Sequence, residues 1–145
     1  QKILASDHSS NVPVKMLCAD INEVEIENAS VVVMNFTLQF IPLEQRLDLI
    51  KRIYQGLKPG GVLILSEKIA FDEAERQDFQ IDIHHEFKRA NGYSDLEISQ
   101  KRSALENVLI PETITTHQQR LSDAGFRFSD VWFQCFNFIS LVAVK

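Results

Sequence analysis

The clearest pattern in the chain is Val31-Val32-Val33-Met34, an unbroken apolar run that ends on Asn35-Phe36-Thr37. A β-branched run without alternation predicts a parallel strand buried on both faces, near the centre of a sheet and carrying a polar group at its tip. Leu43, Leu47, Ile50, Ile53, Tyr54 and Leu57 then recur at helical spacing, which predicts a helix with one apolar face laid over that sheet. Leu57-Lys58-Pro59-Gly60-Gly61 interrupts the helix, and Val62-Leu63-Ile64-Leu65-Ser66-Glu67 predicts the next strand. The three elements make a right-handed crossover unit, and such sheets bind ligands at the carboxyl ends of their strands.

Upstream, 13–18 (Pro-Val-Lys-Met-Leu-Cys) predicts a strand that stops at Ala19-Asp20-Ile21-Asn22 and places Asp20 at its tip. Downstream, 71–90 predicts a long helix with Phe79, Ile83, Phe87 and Ala90 on one stripe, ended by Asn91-Gly92. Ser94-Asp95-Leu96-Glu97 has capping-box spacing, so a second helix should start there and run to about 108. A plain crossover needs one helix between strands, so 71–110 is expected to be a helical insertion beside the strand tips and a candidate for specificity. Pro111 opens a further helix carrying Ile114, His117, Leu121 and Ala124, with Gly125 at its end. The strands at 128–136 and 138–144 meet around Asn137 with no room for a helix, so they form an antiparallel hairpin. The expected fold class is α/β, a mostly parallel sheet ending in an antiparallel hairpin, in a single domain over 1–145.

Composition narrows the partner. With 145 residues, 45% of them hydrophobic, the chain can bury a core, and no apolar run approaches the roughly 20 residues that span a bilayer. The opening residues lack the basic and apolar regions of a signal peptide, so the expected location is the cytoplasm. The chain starts with Gln1 rather than Met, and 1–8 read like the tail of a helix, so an amino-terminal segment is expected to be absent. A net charge of -5 disfavours a nucleic-acid surface and leaves a small molecule as the expected partner. Cys18 and Cys135 lie in strand-like apolar stretches and are expected to be reduced core thiols rather than a disulfide or metal pair.

Candidate chemistry is sparse. Asp20 could accept a hydrogen bond from a ligand lying across the strand tips, or simply cap its turn. Asn35 could face the cleft mouth, or satisfy the backbone of the following loop. His84 and His85 are adjacent on a helix and point about 100° apart, poor geometry for one metal, and read as surface or interface residues. His117 falls on an apolar stripe and reads as packed rather than basic. No nucleophilic triad and no metal-ligand spacing is present, so no metal is expected and no catalytic residue is assigned. Lys88 and Arg89, followed by Lys101 and Arg102, concentrate cations in the helical insertion of an acidic chain. That is what capture of a small dianion requires, or else a solvated helical face. Trp132, Phe133, Phe136 and Phe138 read as core or dimer packing.

Two sets of residues carry a resemblance. Residues 31–39, then Tyr54-Gln55-Gly56-Leu57-Lys58-Pro59-Gly60-Gly61 and Leu65-Ser66-Glu67-Lys68, resemble the later half of a class I S-adenosylmethionine-dependent methyltransferase fold, which is Rossmann-like. Residues 84–94, then Glu97-Ile98-Ser99-Gln100-Lys101-Arg102 and 132–138, are longer and less common patterns, and they look like the carboxy-S-adenosyl-L-methionine synthase family within that fold. The resemblance implies an enzyme, a transferase, that converts S-adenosyl-L-methionine and prephenate to carboxy-S-adenosyl-L-methionine and phenylpyruvate. The product serves the oxyacetic acid modification of wobble uridine in tRNA, carried out by a partner transferase. It further implies that Asp20 and Ile21 hold the adenine, that Asn35 contacts the cofactor and that Arg102 binds the transferred carboxylate. A homodimer is expected, with no direct nucleic-acid binding and no membrane.

The same resemblance implies a glycine-rich loop, a tyrosine and an acidic residue before the first of these strands, and the chain shows no counterpart of them. The expectation is therefore a carboxyl-terminal part of a cofactor-binding domain, inactive alone. The alternatives are a generic S-adenosylmethionine methyltransferase, and a non-catalytic module whose half-sheet pairs with another chain.

Overall fold

The computed structural model describes residues 13–106 and 108–145. The readings of the first residues as a helix tail, without a signal peptide, therefore lie largely outside the described residues. A four-stranded sheet forms the centre, in the order β1 (Ala29–Asn35), β2 (Leu57–Lys68), β4 (Phe138–Val144), β3 (Phe128–Cys135). β1 pairs parallel with β2 from Val31↔Val62 to Asn35↔Ser66. β4 runs antiparallel to both β2 and β3. Three strands thus point one way and β4 alone reverses, as a crossover unit followed by a tight hairpin requires.

The crossover helix α1 (Leu43–Gly56) buries Leu49, Ile50 and Ile53 against one face of the sheet. Burying each such side chain contributes roughly 1.5–3 kcal/mol. Leu63 and Leu65 of β2 and Leu141 and Ala143 of β4 meet this layer, and α4 (Ile114–Ala124) completes it with Leu121 and Ala124. Of the expected α1 stripe, Leu43 is exposed, since it opens the helix beyond the sheet's edge contacts, while Leu47 and Tyr54 pack at the margin. Thr113, two residues after Pro111, caps α4 by accepting from the Thr116 N–H at 3.1 Å. Gly125 ends it at φ +107°, a left-handed conformation that favours glycine.

The helices α2 (Ala74–Ala90) and α3 (Asp95–Glu106) fill the stretch between β2 and α4. Gly92, at φ +88°, turns the chain between them. The capping box at the start of α3 is present in both directions: the Ser94 N–H donates to Glu97 Oε2 at 2.9 Å and the Glu97 N–H donates to Ser94 Oγ at 3.3 Å.

Several sequence expectations are corrected. Residues 13–18 form no strand, and Val14, Met16 and Leu17 are exposed. Strand propensity needs a ladder partner, and no described strand offers one there. For the same reason β1 is, among the described residues, an edge rather than a central strand: Met34 is buried on the face under α1, while Val31 and Val33 stand 54% and 56% exposed on the other. The apolar stripe of α2 covers no core, and that helix has no buried residue. Trp132 and Phe133 are exposed, which overturns the core half of the core-or-dimer expectation, because the register of β3 shifts between Val131 and Phe133 and breaks the alternation. Cys18 and Cys135 are free, as expected, but exposed rather than in the core.

Candidate functional site

The last residue of β2, Lys68, the α2 face carrying His84, His85 and Lys88, Arg102 of α3, and Asn137 of the β3–β4 turn enclose a cleft of about 270 Å³. It lies at the carboxyl end of β2, where sheets of this topology bind ligands. The turn is held to the sheet by the Ile69 N–H, which donates to the Asn137 carbonyl at 2.8 Å. Asn137 is 1% exposed, and neither its Oδ1 nor its Nδ2 has a hydrogen-bond partner among the described residues. Buried amides are almost always satisfied, so this one calls for an ordered water or a ligand atom.

The aromatic side chains flanking the turn set the position of His84. Its ring stacks on Phe136 at 5.6 Å and meets Phe138 edge-on at 5.1 Å, and Phe36, the residue after the β1 tip, meets Phe138 edge-on at 5.8 Å. Phe36 and Phe136 both adopt positive φ, 51° and 54°, conformations that cost energy and cluster at functional sites. Burial pushes the His84 imidazole down to about 4, assisted by the positive charge of Lys88, His85, Lys68 and Lys101. At neutral pH His84 is therefore an uncharged ring in a cationic surrounding. Burial, then Lys101 and Lys68, also lower Lys88 from its ordinary value. A second perturbed group lies behind the cleft: burial raises Glu67 to about 7, opposed by the N–H groups of Leu38, Gln39 and Thr37 and by Arg46.

The predicted site residues divide. Arg102 lines the cleft. Asn35 ends β1 opposite Ser66, exposed, and its neighbour Phe36 joins the aromatic cluster. Asp20 and Ile21 are not in this cleft and sit in a turn packed on α1, where Arg52 donates to the Ile21 carbonyl at 3.2 Å. Asp20 does cap its turn: Oδ1 accepts from the Asn22 N–H at 2.8 Å. A carboxylate that caps with one oxygen keeps the other free to accept a further hydrogen bond.

The basic run also divides. Arg89 pairs with Glu86 and Asp95 at 2.7 Å each on the open surface, whereas Lys88 and Arg102 face the cleft. His84 and His85 are cleft walls rather than plain surface residues, and no group of His, Cys, Asp and Glu suited to a metal occurs among the described residues. Sequence reasoning missed Asn137 as a site residue, since it read only as a hairpin joint. It missed Lys68 as well, whose one signal was its place at a strand's carboxyl end.

Residues 1–65 match the family model described as "Methyltransferase domain". The carboxy-S-adenosyl-L-methionine synthase of Geobacter sp. (strain M21) is 69% identical over all 145 residues, which span 59% of that protein. The corresponding protein of Shewanella oneidensis is 62% identical over 136 residues, 94% of this chain and 56% of that one. Among solved structures, human N-acetylserotonin methyltransferase in complex with S-adenosylmethionine superposes with a TM-score of 0.58 at 20% identity, over 99% of this chain and 37% of that one. An O-methyltransferase family 2 protein from Planctomyces limnophilus superposes at 0.60 with 15% identity, over 88% of this chain and 33% of that one. The chain spans about three fifths of the length of its curated relatives. It has the Rossmann-like α/β fold of the S-adenosylmethionine-dependent methyltransferases, and from its first residue to its last it resembles the carboxy-S-adenosyl-L-methionine synthase family.

Proposed function

We propose that this chain is the carboxyl-terminal part of a carboxy-S-adenosyl-L-methionine synthase, a transferase that converts S-adenosyl-L-methionine and prephenate to carboxy-S-adenosyl-L-methionine, phenylpyruvate and water, the water made from the ring hydroxyl and a proton of the cofactor's methyl group. The observation that carries the reading is Arg102 on the wall of a cleft whose charged lining residues are all cations. An ordinary methyl transfer leaves no new anion to hold, whereas a carboxylated cofactor does, and a guanidinium presents a planar fork to a carboxylate.

The cofactor supplies the activated methyl carbon that accepts the carboxyl group. The chain's own residues bind and orient. Arg102 takes the carboxylate and so favours the carboxylated ligand over its parent. Asn35, at the β1 tip, contacts the cofactor, and the turn of Asp20 and Ile21 holds the adenine. His84, uncharged at neutral pH, and its Phe136 and Phe138 neighbours give the cleft one dry wall, which strengthens every charge contact inside it.

The product would serve wobble-uridine modification of tRNA by a partner transferase in the cytoplasm. The net charge of -5 suits an enzyme that handles small acids and leaves the tRNA to that partner. The exposed Phe79 of α2, with the outer side of Phe87 whose ring packs beside Phe136, suits a homodimer contact. Among the described residues no helix is long and apolar enough to cross a membrane.

The test is Arg102→Ala in the full-length polypeptide, with S-adenosyl-L-methionine and prephenate supplied and the products weighed by mass spectrometry. Loss of carboxylated product by about a hundredfold, the upper range for a charge-assisted pair, with the circular dichroism unchanged, is the expected result. Undiminished carboxylated product would remove Arg102 from the reaction. A methylated acceptor in place of carboxylated cofactor would favour an ordinary methyltransferase.

A further inference from the structure

We propose that Lys88 and the Asn137 side-chain amide form a second anion subsite, distinct from Arg102, that holds the carboxylate which the acid co-substrate keeps. The proposal rests on the synthase reading for the identity of that acid, but its geometry does not. A dicarboxylic acid that gives up one carboxyl group must be gripped by the other, or it leaves with the reaction incomplete. The cleft offers cations on two different helices, Lys88 on α2 and Arg102 on α3.

The amide gives the subsite its shape. Asn137 is buried, lines the cleft and leaves Nδ2 and Oδ1 unpartnered among the described residues, an unfavourable state that a guest would relieve. Its two N–H groups suit adjacent carboxylate and keto oxygens, the pattern of a 2-oxo acid. The turn cannot drift, because the Ile69 N–H holds its carbonyl at 2.8 Å. Lys88 is partly buried and meets Lys68 and Lys101 as like-charged neighbours, so an incoming anion relieves both its desolvation and its repulsion. His84 is kept uncharged by the same surroundings and adds a flat wall without competing for the anion. At about 270 Å³ the cleft lies just below the ~300–1,000 Å³ of ordinary ligand pockets, a size for a small acid rather than for a whole adenosyl cofactor.

Phenylpyruvate, with a single carboxylate, is the probe, titrated calorimetrically into the full-length polypeptide. Lys88→Gln and Asn137→Asp are each expected to weaken it about tenfold or more, Lys88→Arg to restore most of the affinity, and Arg102→Ala to weaken it less than either. Equal affinity in the wild type and Lys88→Gln overturns the subsite, and because Lys88 is only partly buried that variant should fold. The two readings fail separately. Lys88-dependent binding of phenylpyruvate without any carboxylated product would keep the subsite and sink the synthase reading. Normal product formation by Lys88→Gln, with KM for prephenate unchanged, would keep the synthase and sink the subsite.

Discussion

The face of the sheet under α1 and α4 and the arm made of α2 and α3 are built by opposite means. Under α1 and α4, Leu49, Ile50, Ile53 and Leu121 are at most 1% exposed, and the charged groups at the margin are gathered into one network. Arg46, 0% exposed, donates to the carbonyls of Gln39, Ile41 and Ile110 and pairs with Glu112, which also pairs with Arg120. In the arm, α2 buries nothing and α3 buries Ile98 at 5% exposure, while Phe79, Phe87 and Leu96 face outward. Yet the arm, not the scaffold, supplies His84, Lys88 and Arg102 to the cleft. Stability and ligand chemistry therefore sit on different elements, and substitutions should separate them.

Arg46→Ala should give the largest effect. It would remove one donor from each of three carbonyls and from the Glu112 carboxylate, which keeps Arg120, in a dry place, a loss of about 3–5 kcal/mol for breaking a buried pair. Chemical denaturation of the full-length polypeptide should show the midpoint falling sharply with the slope unchanged. A change below about 1 kcal/mol would mean that the network is solvated and that apolar packing alone holds α1 to the sheet. Burial raises the Glu112 carboxyl, and its bonds to Arg120 and Arg46 more than reverse this to hold it below its usual range.

The next effect is a pH dependence seated on α4. His117 is 1% exposed, with Nδ1 3.5 Å from Arg120 Nη1 and Nε2 unpartnered among the described residues. Burial lowers its pKa to about 4, helped by Arg120 and Arg46 and opposed by Glu112. The unfolded chain, with an ordinary imidazole near 6.5, binds more protons between those values, so stability present above pH 6.5 is lost as pH falls toward 4. Over that window the loss is roughly 3 kcal/mol. His84 adds a loss of the same sign and Glu67, raised to about 7, a gain of the opposite sign, in both the wild type and His117→Leu, so denaturation at pH 7 and pH 4.5 should show the His117 loss as the difference between the two proteins. Identical slopes would place the titration elsewhere.

The scaffold was largely legible because its signals are local. The crossover, the Ser94 capping box, the Gly125 helix end and the terminal hairpin each follow from spacing, and each is present. What failed was pairing. The strands expected at 13–18 and at the sheet centre depended on an outer ladder partner that no pattern within the chain can report. The site was legible in charge but not in shape. Lys88, Arg89 and Arg102 stood out as a cluster, but only coordinates show that Arg89 turns to Glu86 and Asp95 while the others turn inward. Asn137 escaped because a residue between two strands reads as turn chemistry, whereas its importance lies in burial without a partner.

The smallest effect sharpens the contrast most. Phe79 occupies the expected apolar stripe of α2, yet it is 59% exposed and packs on no core. If the arm stands free, Phe79→Ser should shift stability by no more than about 0.5 kcal/mol, the range of surface changes, whereas Leu49→Ala on the opposite side should cost about 2–5 kcal/mol. If instead a second copy of the chain covers the stripe, Phe79→Ser should lower the sedimentation coefficient, and the denaturation midpoint should become dependent on protein concentration. A helix whose apolar face is unburied in one chain and buried in two would place the cleft's cations under control of assembly, because Lys88 stands on that same helix. Sedimentation of the wild type and Phe79→Ser at two concentrations decides between a free arm and an assembled one.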